Sequence, residues 1–290
     1  IRETRIKVKG QSVALVITTY NWPEALAAVL RSVKRQARLP DEVVVADDGS
    51  GPETAGAVGE ALEGSGLVWL HVRHEDRGIR QARIKNLAVR HTGAEYLIFV
   101  DHDVVLHPCF VEEHLSMAGR GVFLQGKRSF LPEPLSERIL KGEAFSMPGP
   151  LTPGLGNRKN AFRSPVLGRL LSGGRRFQTS LRGCNLSMTR EDFLLVDGYD
   201  ETFDAAWGRE DSDICYRLFH SGVSCRNLWF MALQYHLDHA VQKNRARDGL
   251  DEELDRLRQE RRGRALRGFS ALSGEGGVVR SDSGRGKGSA

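Results

Sequence analysis

The chain has 290 residues, 40% hydrophobic and 27% charged, with a formal net charge of +5. These values fit a soluble globular protein with one large α/β domain and appendages, or two small domains, and they exclude a fibrous or wholly disordered chain. Cys109, Cys184, Cys215 and Cys225 show no CxxC or other tight spacing, which argues against a disulfide framework or a zinc site and fits a reducing compartment.

Residues 1–10 are charged and lack an apolar signal region. No stretch approaches the roughly 20 apolar residues of a membrane span. The expected setting is cytoplasmic, at most peripheral on the inner face of a membrane. Residues 13–18 (VALVIT) form a short β-branched run, as in a strand buried on both faces. Pro23 then opens a helical pattern carried by Leu26, Val29, Leu30 and Val33. A second strand, EVVVA at 42–46, ends in Asp47-Asp48-Gly49-Ser50. Another helix from Pro52, a strand over 67–72, a helix over 79–90 and a strand YLIFV at 96–100 follow, the last closed by Asp101-His102-Asp103. Such β-α-β repetition predicts a mostly parallel sheet flanked by helices. Ligands then bind beyond the carboxyl ends of the strands, where Thr18, Tyr20, Asp47, Asp48, Asp101 and Asp103 fall.

Residues 129–180 are rich in Gly, Pro, Ser and Arg with weak periodicity, and read as a long, partly mobile excursion over the site. A helix is expected from about Arg190 and another after Glu210-Asp211, running to about His220. Asp213 and Arg217, four apart, read as a surface pair. Residues 223–235 read as a final strand pair and 250–267 as a basic helix, whereas 270–290 have a disordered composition. The expected divisions are 11–128 for a nucleotide-binding half, 129–180 for the excursion and 181–240 for the acceptor and catalytic half. A basic tail at 241–269 and a disordered tail at 270–290 complete them.

Alternate carboxylates at a strand exit can reach one ion, and their hard oxygens suit Mg2+ or Mn2+. A divalent ion at Asp101 and Asp103 would neutralise a diphosphate leaving group; turn chemistry accounts for the same residues more blandly. One of Asp47 and Asp48 can accept from a uracil N–H or a ribose hydroxyl, or simply close an Asx turn. Asp211 shares a helix face with Ile214 and Leu218, which turns it toward the body, where it can serve as general base; acids in a first turn also merely complement the helix dipole. His236 or His239 can complete a metal shell, and Trp207 offers a stacking face for a sugar or a piece of core.

The segments VALVITTYNWPEAL, DEVVVADDGS, 78–88 with Lys85-Asn86, and EYLIFVDHDVVLHP resemble the GT-A glycosyltransferases of family 2. The later RGCNLSMTREDFLLVDGYDETFDAAWGREDSDICYRL resembles the galactosyltransferase-type region of β-1,4-galactosyltransferases, polypeptide GalNAc-transferases and chondroitin-type polymerases. The resemblance implies that Thr18, Tyr20, Lys85 and Asp47 or Asp48 line a nucleotide-sugar pocket. It implies that Asp101 contacts ribose or metal and that Asp103 binds metal, with His239 first and His236 second as the further ligand. Asn185 and Trp207 would border the sugars, Asp211 would be the base, and Glu210 would hold hydroxyls. An aspartate at 211 implies inversion.

The resulting expectation is an inverting transferase that uses a UDP-sugar, Mn2+ or Mg2+, and a glycan or glycolipid acceptor. The basic tail would touch an anionic membrane, and no nucleic acid is expected. A nucleotidyltransferase would need a Gly-rich, basic loop after the first strand, which TTYNWPEA lacks. A non-catalytic sugar-binding module would need a broken acidic set, and the set is complete.

Overall fold

The computed structural model describes residues 11–172, 183–204, 209–240, 247–273 and 277–280. The first half alternates β1 (Val13–Thr19), α1 (Pro23–Val33), β2 (Glu42–Asp47), α2 (Pro52–Leu62), β3 (Trp69–Arg73), α3 (Gln81–His91) and β4 (Tyr96–Asp101). Prolines open α1 and α2, where the missing N–H loses no helical bond. β1 runs parallel to both β2 and β4, and β2 parallel to β3. Val13, Leu15 and Ile17 pack with Leu26 and Val29 of α1. Ala14 and Val16 share the opposite core with Ile84 and Leu87 of α3. Both faces of β1 are thus covered, which is why its apolar run is unbroken rather than alternating.

The second half adds β5 (Val104–Leu106), α4 (Phe110–Met117), β6 (Val122–Gln125), β7 (Arg128–Phe130), α5 (Glu133–Leu140), α6 (Pro165–Leu171), β8 (Leu186–Thr189) and α7 (Arg190–Leu195). It continues through α8 (Glu210–His220), β9 (Ser224–Asn227), β10 (Gln234–His236), α9 (Arg247–Glu260) and β11 (Gly277–Arg280). The large sheet has the order β11-β3-β2-β1-β4-β8-β6-β9, and a small sheet has β5-β10-β7. The α/β class, a mostly parallel sheet flanked by helices, is as expected.

Four local expectations are corrected. Residues 128–172 hold β7, α5 and α6 where a long, partly mobile excursion of weak periodicity was expected over 129–180; β7 is fixed by pairing with β10, far away in sequence. The strands within 223–235 do not pair with each other, since β9 joins β6 in the large sheet and β10 joins β5 and β7 in the small one. Residues 277–280 form β11, antiparallel to β3, where disorder was expected. Asp213 and Arg217 form a fully buried pair, not a surface one, with Arg217 Nη1 also donating to the carbonyls of Val196 at 2.7 Å and Gly198 at 2.8 Å.

The basic helix is α9. Leu254 and Leu257 pack against Phe203 and Tyr216, and Arg256 and Arg258 pair with Glu253 and Asp255 of the same helix. Among the described residues, no helix is long and apolar enough to cross a membrane.

Candidate functional site

Three strand ends set the stage. Thr18 lies opposite Asp101 in the β1–β4 register, and Thr19 lies opposite Asp47 in the β1–β2 register. The polar ends of β2, β1 and β4 therefore stand side by side, one strand spacing apart. The Thr18 hydroxyl is buried and has no hydrogen-bond partner among the described residues. The Tyr20 hydroxyl, on the loop beyond, donates to Asp76 Oδ2 at 3.1 Å.

Asp103 stands two residues past β4, and its Oδ2 is 3.1 Å from His236 Nε2 and 3.2 Å from His239 Nε2. The two imidazoles stack with centroids 5.0 Å apart. His236 sits on β10, which pairs with β5 directly after the Asp103 turn, so the small sheet brings residues far apart in sequence together. The Nδ1 atom of His236 is 2.6 Å from the Leu237 carbonyl, and that of His239 is 3.1 Å from the Ala240 carbonyl. A carbonyl can only accept, so each Nδ1 carries the proton and, in a neutral ring, each Nε2 presents its lone pair. Two such lone pairs converging on a carboxylate oxygen need a cation between them, or protons on both rings. Asp103 Oδ1 is buried without a hydrogen-bond partner among the described residues. The three residues thus fit a divalent cation, with outer hydrogen bonds already fixing the histidine tautomers.

Electrostatics point the same way. Burial, reinforced by the neighbouring Asp103 charge, pushes the Asp101 carboxyl up to about 7. Burial opposes ionisation of Asp103 too, but its contacts with the His236 and His239 imidazoles outweigh it and hold that carboxylate below its usual range. The Asp103 hydrogen bond raises His239. A crowded acidic pair beside two imidazoles is stabilised by added positive charge.

The second device is a buried ammonium. Lys85 Nζ lies 3.1 Å from Glu210 Oε1 and 3.0 Å from Asp211 Oδ1. It also sits 4.8 Å above the Tyr199 ring, and Asn86 clamps the Tyr199 backbone with two 2.8 Å hydrogen bonds. Burial works against the Lys85 charge, but Asp211 and then Glu210 outweigh it and hold the group well above its usual range. Burial and the Asp211 charge push Glu210 up. Asp211 is the outward member, with 18% of its side chain exposed against 2% for Lys85 and 3% for Glu210. Its Oδ2 accepts the Gly183 N–H at 3.0 Å. A Cβ at Gly183 would lie 1.9 Å from Asp211 Oδ1, so only glycine allows this approach. Asp101 feels the charges of Asp103, Lys85 and Asp211 together, and the Gly183 turn that holds Asp211 runs into β8, which pairs with β4 at Phe99, two residues before Asp101.

Asp47 and Asp48 each face a histidine. Asp47 is wholly buried, accepts the Ser50 N–H at 2.8 Å and faces His71 Nε2 at 2.9 Å. Burial opposes its charge, but these bonds prevail and hold it below the usual carboxylate range. It braces the loop. Asp48 lies 2.6 Å from His74 Nε2 and accepts the Arg80 N–H at 3.1 Å. His74 and Arg80 in turn border a groove of about 700 Å³ at the rim of β3, whose walls include Arg73, Arg83 and Val279.

Asn185 is also fully buried. Its amide donates to the carbonyls of Lys127 at 3.2 Å and Ala232 at 3.0 Å, and its Oδ1 lies 3.0 Å from His114 Nε2. It ties the strand ends together. Trp207 lies outside the described residues.

The sequence reading missed Trp22, which stands edge-on to His239 at 5.2 Å and to His102 at 5.9 Å. Its place in the same TTYNWP loop as Thr18 and Tyr20 was the available signal. It also missed Gly183 and Tyr199, which nothing in local spacing marks.

Residues 14–148 match Glycosyl transferase family 2, and residues 171–240 match the N-terminal domain of galactosyltransferase. Chondroitin synthase from Escherichia coli is 27% identical over 80% of this chain and 35% of its own length. Validoxylamine A glucosyltransferase from Streptomyces hygroscopicus subsp. limoneus is 32% identical over 72% of this chain and 48% of its own. The chain thus spans between a third and a half of these curated relatives. Among solved structures, S. aureus TarS 1-349 in complex with UDP superposes with a TM-score of 0.57 at 18% identity, covering 86% of this chain and 65% of that one. This is a likeness of fold.

Proposed function

The chain belongs to the family 2 glycosyl transferases, and we propose that it moves a hexose or N-acetylhexosamine from a UDP-sugar to a hydroxyl of a glycan or glycolipid, inverting the anomeric carbon. The observation that carries this reading is the meeting of the Asp103–His236–His239 cluster with the Lys85-held Asp211 around Asp101.

Thr18, Tyr20 and Asp48 stand where nucleotides bind in such sheets, beyond the strand carboxyl ends. Asp103, His236 and His239 would hold a divalent cation, which supplies charge neutralisation for a departing diphosphate. Mixed imidazole and carboxylate donors favour Mn2+ over Mg2+, which prefers an all-oxygen shell. Asp211 is the base. Lys85 and the Gly183 N–H hold its carboxylate in place, and its exposed side meets the acceptor hydroxyl. Asp211 takes the hydroxyl proton as the oxygen forms its bond to the anomeric carbon, and the bond to UDP breaks on the opposite face. Glu210, turned inward, positions Lys85 rather than touching a sugar.

The test is a panel of UDP-sugars with Mn2+, followed by UDP release without acceptor. Slow hydrolysis of one donor is expected, lowered about 10²–10⁴-fold by Asp211→Asn as for loss of a general base, with Mn2+-dependent UDP binding retained. Undiminished turnover by Asp211→Asn removes the base assignment, and failure to bind any UDP-sugar removes the donor class.

A further inference from the structure

We propose that α6 and the loop before it form a surface that seats this protein on a bilayer rich in anionic phospholipid. The helix lies the wrong way round for a protein in water. Its small residues face the body: Gly168 is buried, where a Cβ would stand 2.4 Å from Met231 Cγ and 2.6 Å from the Trp229 carbonyl oxygen, and Ser172 one turn later is buried too. Its large apolar residues face out, with Val166 67%, Leu167 42%, Leu170 73% and Leu171 58% exposed. Val166 with Leu170, and Leu167 with Leu171, are four apart and so form one continuous strip. A water-facing helix has the opposite pattern, and an exposed apolar strip of this kind marks a docking face.

The charge around the strip selects the occupant. The described residues 144–172 contain four arginines and lysines and no acidic residue. Arg158, Lys159 and Arg169 are exposed. A second copy of this chain would bring the same cations to the same place and be repelled. A polyanionic glycan would match the charge but leave the leucines in water. A bilayer with acidic headgroups matches both, taking the leucines at the acyl boundary and the cations among the phosphates. The sequence pointed to the basic tail for this contact, yet Leu254 and Leu257 of α9 face inward and Arg256 and Arg258 pair within the helix. Trp229 and Met231, which pack beneath α6, belong to the segment that leads into β10. The inference does not rest on the transferase reading.

The test is flotation of the chain with vesicles of phosphatidylglycerol and phosphatidylcholine, against phosphatidylcholine alone, with Val166→Ser/Leu170→Ser/Leu171→Ser as the variant. Leu170→Glu is a second variant should the triple one fail to melt like the parent. The parent floats with the anionic vesicles only, and either folded variant binds them at least about tenfold more weakly. Arg256→Gln/Arg258→Gln floats like the parent. Absence of parental flotation, equal flotation of the folded variants, or light scattering that shows a dimer dissolved by them would overturn the proposal.

Discussion

Replacing Lys85 by methionine tests the buried charge cluster most directly. The change keeps the length and apolar stem of the side chain and removes the one ammonium 3.0–3.1 Å from Asp211 and Glu210. At that separation each attraction is about 5 kcal/mol at an effective dielectric near 20. Much of this offsets the desolvation of three charges, so the expected net loss is about 3–5 kcal/mol, as for breaking a buried pair from one side. Global stability is only about 5–15 kcal/mol, so the loss is large. Its pH dependence carries the diagnostic sign. Glu210 already titrates above its usual value, and Lys85 is a force holding it down. Without Lys85 its folded pKa climbs further, so the variant's added deficit is small while Glu210 is protonated in both proteins and grows as pH rises past the parent's folded value toward the variant's. Urea denaturation at a series of pH values measures this. Adding Glu210→Gln to Lys85→Met removes the stranded charge and recovers part of the loss. A single variant within about 1 kcal/mol of the parent, with a difference flat across pH, would refute the reasoning.

Two further substitutions separate positioning from contact. Asn185→Ala leaves two backbone carbonyls and the His114 N–H without their partner; the expected loss is about 2–4 kcal/mol in chemical denaturation, with the donor KM of the folded protein little changed. Gly183→Ala pushes a methyl group into the Asp211 carboxylate, and a displacement of this order lowers kcat about a hundredfold, read as UDP release at saturating donor, while the melting temperature moves little.

What could be read from the chain follows what is local. β1, β2 and β4 were legible because strands covered on both faces are written as unbroken apolar runs, and Asp101-His102-Asp103 stood out as the polar end of one. β5, β7 and β10 were not, since three-residue strands exist only through partners far away in sequence. Asp213 and Arg217 have the spacing of an exposed ion pair, and only the packing of α7 and the loop after it, which supplies the Val196 and Gly198 carbonyls, puts them inside. Asp47 and Asn185 carry polar side chains that chemistry alone offers to a ligand; the tertiary hydrogen bonds that bury them could not be read from the chain. The histidines were legible as residues, but the single carboxylate oxygen they share was not.

The placement of β11 has a bearing on how the protein behaves at high concentration. β3 would otherwise border the large sheet with an open rung of amides and carbonyls, and residues 277–280 take up that rung themselves. The opposite margin is β9, also only four residues long. Both flanks are therefore too short for a stray strand to zip onto, and the molecule guards against sheet-to-sheet stacking with a segment whose Gly- and Arg-rich wording gives no hint of that duty.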